Sequence, residues 1–211
     1  MHADKGMFLE NTHRLHPDIT KFTSEVYYEN RLTSVPELVN QQLVGCTTYS
    51  GSSLEYLSVE HKGNTSKSIE EVEVVAGIVN ELLQDGVLYR DKDCIENQMS
   101  VDDILIVSPY NAQVAILIES LPELRHRIGT VNRFQGKGAP VVIYSMASSS
   151  PEDAPRGMEF LYDPHRLNVA TSRAKALCII VGSPALLAPG CKSPKQMKMA
   201  NGLCRYLELC S

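Results

Sequence analysis

The sequence has few of the features that mark membrane, metal-binding or secreted proteins. No apolar run approaches the ~18 residues of a membrane span, so we expect no membrane partner. Residues 1–6 lack the basic flank and the apolar stretch of a secretory signal. The six cysteines include no C-x-x-C pair, which argues against a zinc site, and we expect this chain to bind no metal by itself. A reducing cytoplasm is therefore the expected compartment.

The chain also lacks an excess of positive charge. Its 211 residues include 20 Lys and Arg against 25 Asp and Glu, which gives a formal net charge of −5. A strongly basic balance would have pointed to nucleic acid. The acidic balance does not exclude that partner, because a local basic strip is enough to bind a phosphate backbone. The 43% of hydrophobic and 21% of charged residues are typical of a soluble globular protein.

A third absence is the phosphate-binding loop of nucleotide hydrolases. The pattern G-x-x-x-x-G-K-S/T does not occur, and residues 63–68 contain Lys-Ser but lack the second glycine. No apolar strand ends in the Asp-Glu pair that would hold Mg²⁺. We therefore expect that this chain cannot form a complete ATPase site by itself.

Continuous apolar runs in the second half of the chain predict strands that are buried on both faces. They cover residues 104–107, 141–144 and 178–181, and alternation over residues 54–61 predicts one more strand. Because segments with helical periodicity separate these strands, the pattern predicts an α/β fold with a mainly parallel sheet flanked by helices.

Several predicted helices have recognisable starts. Pro17 fits the first turn of one helix, Ser68 and Glu71 form the pattern of a capping box before a second, and Asn111 is expected to cap a third. Two further helices are expected over residues 167–174 and 194–209. The other expected regions are a loop-rich part with short strands over 33–67, polar loops over 91–100 and 148–157, and a C-terminal helix within 190–211.

Polar residues lie next to the apolar strands in three segments. These are residues 108–113, 129–137 and 166–175, and a fourth polar segment, residues 14–17, precedes the first helix. In open α/β sheets, ligands bind at the carboxyl ends of the strands. We therefore expect these segments to follow strands and to meet at that edge of the sheet.

Taken in order, the segments resemble the second RecA-like domain of superfamily 1 helicases of the up-frameshift-like branch. His13-Arg14-Leu15-His16-Pro17 is similar to the Tyr-Arg-Met-His-Pro element of that family, residues 130–136 to its fifth motif and residues 166–174 to its sixth. The resemblance implies one RecA-like domain of the P-loop NTPase type over residues 1–211, without a phosphate loop of its own. It also implies an ATP-dependent helicase or translocase that acts on single-stranded DNA or RNA.

The resemblance further implies how ATP is handled. ATP and Mg²⁺ would be bound mainly by a first RecA-like domain preceding this one, so this part alone is expected to be inactive. The two arginines with which the family approaches the phosphates correspond to Arg14 and Arg173. An arginine supplied to the γ-phosphate from a facing domain contributes about 10³–10⁵ in rate. Gln135 and Gly136 would line the nucleotide cleft beside them.

The same resemblance implies contacts with the nucleic acid. Ser108, Asn111 and Thr130 would hold the strand through its backbone, which carries no sequence information. Such contacts suit a motor that must accept any base. Asn111 is also a good helix cap, so a purely structural role for it stays open.

One departure from the family pattern concerns the nucleotide. Family members usually carry an acidic residue, thought to assist at the nucleotide, where this chain has Gly138. A non-catalytic nucleic-acid or protein binding module of helicase descent is therefore an alternative. A second alternative is a Mg²⁺-dependent nuclease, because Asp18, Glu60 and Lys62 imitate a Pro-Asp…Glu-x-Lys pattern.

Overall fold

The computed structural model describes residues 9–45, 48–134, 136 and 138–210. The strands and helices follow one another in the order β1 (Asn11–Thr12), α1 (Pro17–Tyr27), β2 (Thr33–Ser34), β3 (Gln42–Val44), β4 (Ser53–Ser58), α2 (Ile69–Leu82), β5 (Leu88–Arg90), β6 (Glu96–Gln98), β7 (Ile104–Ser108), α3 (Asn111–Ser120), β8 (Ile128–Thr130), β9 (Ala139–Ser145), α4 (Met158–Leu161), α5 (Pro164–Thr171), β10 (Ala174–Gly182) and α6 (Pro194–Glu208).

The centre of the fold is a five-stranded sheet with the order β4-β10-β9-β7-β8. All of its strand pairs are parallel. The register places Leu105, Val142, Cys178 and Leu54 side by side across four strands, and all four side chains are buried. The predicted α/β fold with a mainly parallel sheet is confirmed.

The two faces of the sheet form two separate hydrophobic cores. Because successive side chains in a strand point to opposite faces, Leu105 and Val107 join one core while Ile104 and Ile106 join the other. Helices α1, α5 and α6 cover the first face, and α2 and α3 cover the second. This two-sided burial explains why the strands appear in the sequence as continuous apolar runs.

Two of the predicted caps differ from the structure. The Ser68 hydroxyl accepts the Glu71 N–H as predicted, but the Ser68 N–H donates to the Gln113 side chain instead of to Glu71, so the capping box is only half formed. Asn111 is the first residue of α3, and its side chain caps nothing, because the capping position belongs to Tyr110. The predicted cap at Asn111 is therefore wrong by one residue.

A second, antiparallel sheet has the order β3-β5-β6 and lies partly in a region predicted to be a polar loop. Strand β6, Glu96–Gln98, is exposed along its whole length. A strand with no buried face has no alternation of apolar and polar residues, and so the pattern that predicts strands is absent there.

Two general features of the described residues bear on partners. None of their helices has both the length and the apolar composition that crossing a bilayer requires. In the same part of the chain, no three His, Cys, Asp or Glu side chains come together as a metal site would require. Cys178 is fully buried, and burial raises the pKa of its thiol to about 12.

Candidate functional site

The predicted site segments lie at two opposite edges of the central sheet. Strand β10 begins directly after Arg173 and β9 begins directly after Gly138, whereas β7 and β8 end at Ser108 and Thr130. Since all these strands are parallel, Arg173 lies at the amino edge and Ser108 and Thr130 lie at the carboxyl edge. The expectation that all the segments follow strands is wrong for residues 166–175, because α5 leads into β10 and returns the chain to the amino edge.

Arg14 is held at the amino edge by backbone contacts with the start of β10. The His16 N–H donates to the Lys175 carbonyl at 3.0 Å. The buried Gln41 side chain donates through Nε2 to the Arg14 carbonyl at 2.8 Å and to the Lys175 carbonyl at 3.4 Å. Tyr89 fixes the other end of this amide by donating its hydroxyl to Gln41 Oε1. Gln41 therefore positions Arg14.

Sequence reasoning missed Gln41. It lies between a short 3-10 helix and the three-residue strand β3, in a region where the sequence shows no clear periodicity. Its role depends on contacts with residues far along the chain, and no local pattern indicates such contacts.

The two predicted arginines meet in one place. Arg14 donates from Nη1 to the Ser172 carbonyl at 3.1 Å and from Nη2 to the Gly136 carbonyl at 3.5 Å. Arg173 donates from Nε to the Phe134 carbonyl at 3.2 Å and from Nη1 to the Ser172 hydroxyl at 3.1 Å. A guanidinium has five N–H donors, so both arginines keep donors for a ligand. The loop around Ser172 therefore brings together two residues that are far apart in the sequence.

The amino edge carries uncompensated positive charge. Among the described residues, neither Arg14 nor Arg173 forms an ion pair with a carboxylate. Burial, and then the neighbouring Arg14, lower the pKa of the Arg173 guanidinium from its ordinary value. Arg173 still carries its charge near neutral pH, because a guanidinium loses its proton only at strongly alkaline pH. Two adjacent cations of this kind favour binding of a polyanion.

A side chain at position 138 would meet both arginines, which gives a physical meaning to the departure from the family pattern. A Cβ at position 138 would lie 3.0 Å from Arg14 Nε and 3.2 Å from the Arg173 carbonyl oxygen. An acidic side chain there would therefore start beside the Arg14 guanidinium and partly neutralise it. With glycine at position 138, no side chain at this position neutralises the two arginines, and a bound anion can do so.

An open cleft of about 630 Å³ runs beside the two arginines. Its other polar lining includes Thr12, His13 and Tyr28. Gly136 is exposed, and its carbonyl faces Arg14. Gln135 lies outside the described residues, so its predicted place at the nucleotide stays a prediction.

The predicted nucleic-acid contacts lie at the carboxyl edge but differ in exposure. Ser108 and Thr130 are partners in the register of β7 and β8. Ser108 is fully buried, and its hydroxyl accepts the Tyr110 N–H at 3.4 Å. Asn111 is exposed and Thr130 is half-buried. Asn111 and Thr130 are therefore accessible to a strand, while Ser108 shapes the turn between β7 and α3.

The sequence pattern placed Glu71 in a capping box and missed its role as the buried centre of a polar network at the carboxyl edge. Its Oε2 accepts the Ser145 hydroxyl at 2.6 Å, and both of its oxygens accept the Ala147 N–H, at 2.9 and 3.0 Å. Its Oε1 lies 3.1 Å from His61 Nε2, and both of these side chains have no solvent exposure. Ala147 has a φ of 67°, so Glu71 holds a strained backbone at the exit of β9.

This network explains why the predicted capping box is incomplete. The Gln113 side chain accepts the Ser68 N–H at 2.7 Å and donates to the Ser145 hydroxyl at 2.9 Å. Glu71 is thus free to turn inward, where it joins α2 to β9. The sequence pattern of a capping box cannot distinguish a glutamate that faces the helix end from one that faces the core.

The arrangement needed for a nuclease does not form. Asp18 accepts the Ser52 hydroxyl at 2.8 Å, directly before β4 begins, whereas Glu60 and Lys62 follow the end of β4. A six-residue strand spans about 20 Å. Asp18 and Glu60 are therefore too far apart to hold one Mg²⁺, and the nuclease alternative is wrong.

The profile of the AAA_12 family, described as an AAA domain, matches residues 1–185. The chain belongs to this family. The family is the C-terminal helicase domain of up-frameshift-like superfamily 1 helicases. Membership confirms both the family that the motifs resemble and the RecA-like fold class.

Individual relatives agree with this assignment. An uncharacterised ATP-dependent helicase of Caenorhabditis elegans is 31% identical over 183 residues, which cover 82% of this chain and 11% of the relative. A regulator of nonsense transcripts 1 homologue of Drosophila melanogaster is 29% identical over 210 residues, which cover 85% of this chain and 15% of the relative. The chain thus spans only a small part of the length of these relatives.

Among solved structures, the C-terminal domain of a possible DNA helicase from Lactobacillus plantarum matches 89% of this chain and 94% of its own. The identity is 17% and the TM-score is 0.44.

Proposed function

We propose that the 211 residues form one RecA-like domain that acts as the C-terminal half of an ATP-driven helicase or translocase. The observation that carries this proposal is the convergence of Arg14 and Arg173 on one loop, with no carboxylate of the described residues neutralising either of them. A pair of cations in this state fits a triphosphate supplied from outside the domain.

In this proposal, ATP and Mg²⁺ bind between this domain and a first RecA-like domain of the full-length protein. Arg14 and Arg173 stabilise the negative charge that develops on the γ-phosphate, and Gln135 and Gly136 line the cleft. Gln41 has a positioning role, because it holds the backbone of Arg14 against β10.

At the opposite edge, Asn111 and Thr130 hold a single strand of DNA or RNA through its phosphates and sugars. Ser108 supports them by fixing the turn after β7. Closure of the cleft around ATP moves this edge relative to the first domain and shifts the strand. Both accessible residues make contacts that do not depend on the base, as a motor requires.

The test is the ATPase activity of the full-length protein with Arg173→Ala. We expect kcat to fall by about 10³ or more while ATP binding is largely kept, because the arginine acts mainly on the transition state. Arg205→Ala is the matched control, since Arg205 forms ion pairs with Glu25 and Glu208 on the surface of α1 and α6 and does not line the cleft beside Arg14 and Arg173. Loss of ATP binding with kcat preserved would contradict the assigned role, and so would ATP turnover by the isolated 211 residues.

One observation favours a second candidate. With Gly138 beside Arg14, the acid common in the family is missing, and the domain could serve as a nucleic-acid binding module without turnover. In that case the full-length protein binds a strand but hydrolyses no ATP before any substitution is made. The same assay of the unmodified protein therefore separates the two candidates.

A further inference from the structure

An arginine–phenylalanine cluster lies beside the carboxyl edge of the sheet. The guanidinium carbons of Arg156 and Arg166 lie 4.7 Å and 4.0 Å from the centroid of the Phe160 ring. The Phe160 ring also packs against Tyr110, with the ring centroids 5.5 Å apart. Because Tyr110 directly precedes the exposed Asn111, the cluster continues the surface proposed to hold the strand.

Of the acidic residues around this cluster, only Asp163 pairs with one of its arginines among the described residues. Glu159 pairs with Lys195 at 2.6 Å. Asp163 lies 3.7 Å from Arg166 and accepts the His165 N–H, while Asp153 accepts the Ser150 hydroxyl. The charge of Arg166 is therefore partly balanced within the fold.

Arg156 differs from Arg166 in this respect. It is exposed, and it forms no ion pair with any carboxylate that the structure describes. A second guanidinium on the same ring repels it, so an anion bound there would relieve this repulsion. The ring restricts the guanidinium before any ligand arrives, which reduces the conformational entropy lost on binding.

We propose that Arg156, held by Phe160, binds a backbone phosphate of single-stranded nucleic acid next to the strand contact at Asn111. The planar fork of a guanidinium matches the oxygens of a phosphate. This inference rests on the nucleic-acid part of the proposed function and adds a specific contact to it. The segment that carries Arg156 and Phe160, between β9 and α5, thereby becomes part of the strand-binding surface.

The test measures binding of fluorescently labelled oligothymidylate and oligouridylate to the 211-residue chain by anisotropy at several salt concentrations. Arg156→Gln is expected to weaken binding about tenfold at low salt, as for the loss of one charged hydrogen-bonded contact. The slope of log K against log salt should become shallower by about 0.7, the value for one phosphate of a single strand. Lys198→Gln, which removes an exposed charge on α6, is the matched control and should change neither quantity.

The outcomes separate this inference from the proposed function. If Asn111→Ala weakens binding and Arg156→Gln does not, the Arg156 contact is overturned and the proposed function stands. Equal weakening by Lys198→Gln would show a general charge effect and would also overturn the contact. If the unmodified chain binds neither oligonucleotide at low salt, both proposals fail. Phe160→Leu should weaken binding less than Arg156→Gln and leave the salt slope unchanged, because the charge remains but is no longer held in place.

Discussion

The two edges of the central sheet differ in how their charged side chains are compensated. At the amino edge, Arg14 and Arg173 lie side by side, half-buried, without a carboxylate among the described residues. At the carboxyl edge, the carboxylate of Glu71 is fully buried, and both of its oxygens have hydrogen-bond partners. The first edge is arranged to receive an external anion, and the second uses its charge to hold its own backbone in place.

Solvent access explains why both arrangements are stable. The half-buried arginines still contact water, which screens their repulsion while no ligand is bound. Glu71 and His61 have no exposure, so an unpaired charge there would cost several kcal/mol. Uncompensated charge therefore indicates a ligand site only where solvent reaches the charged group. A fully buried charge with hydrogen-bond partners instead stabilises the fold.

The largest effect that tests this difference between the two edges is expected at the carboxyl edge. Glu71→Gln removes the charge but keeps the shape, and it should lower the free energy of unfolding by about 3 kcal/mol, because His61 and the Ala147 N–H lose a charged partner. Urea unfolding of the isolated chain measures this. Glu70→Gln is the control, since the neighbouring Glu70 is exposed and should change stability by less than about 1 kcal/mol. Equal effects of the two substitutions would show that the buried network does not hold this edge together.

A smaller effect should appear at the amino edge as a pH dependence. Burial lowers the pKa of the His16 imidazole, although Asp18 and the Val39 carbonyl act in the opposite direction. The folded state therefore resists protonation more than the unfolded state does. As the pH falls below about 6.5, the unfolded state takes up the proton first and stability decreases.

His16→Asn sharpens this test, because asparagine can still accept the N–H at the start of α1 but does not titrate in this range. Thermal unfolding between pH 5 and pH 7, the range in which histidine titrates, should show a weaker pH dependence in this variant. His126→Asn, which removes an exposed histidine, should leave the dependence unchanged. An unchanged dependence in His16→Asn would assign the effect to other groups.

The smallest expected effect concerns the unneutralised charge beside Gly138. Gly138→Glu and Gly138→Gln add side chains of the same size, and the new Cβ crowds the Arg173 carbonyl equally in both. The glutamate variant should be more stable by about 0.5 kcal/mol, because its carboxylate attracts Arg14 at a partly exposed site.

Thermal unfolding at low and high salt measures this difference, which should shrink as salt rises. Adding Arg14→Ala to both variants should remove most of it. Equal melting temperatures of the two single variants would show that the charge of Arg14 is already neutralised and would contradict the comparison of the two edges.

Much of the fold could be predicted from local patterns. The apolar runs at 104–107, 141–144 and 178–181 lie within β7, β9 and β10, and the helix expected over 194–209 is α6, Pro194–Glu208. These elements are long and strongly patterned, and the tertiary contacts reinforce their local preferences. Strand β6 escaped prediction because an exposed strand carries no such pattern, and β5 escaped because three residues with one buried side chain, Tyr89, are too short to show alternation.

The candidate site could be predicted only in part. The motifs around Arg14 and Arg173 identified the arginines, and the structure places them together. The same motifs did not reveal which edge of the sheet they occupy. The roles of Gln41 and Glu71 could not be predicted, because each acts through contacts with distant segments: Gln41 with Lys175, and Glu71 with Ala147.

The sequence by itself determined the alternation of buried strands with helices, and it contained the motifs that place the chain in its family. Only the tertiary structure decided that the two arginines lie at the amino edge and the strand contacts at the carboxyl edge. The reason is that a motif records residues that are neighbours along the chain, whereas an edge of a parallel sheet is formed by segments that the intervening helices bring together from distant positions.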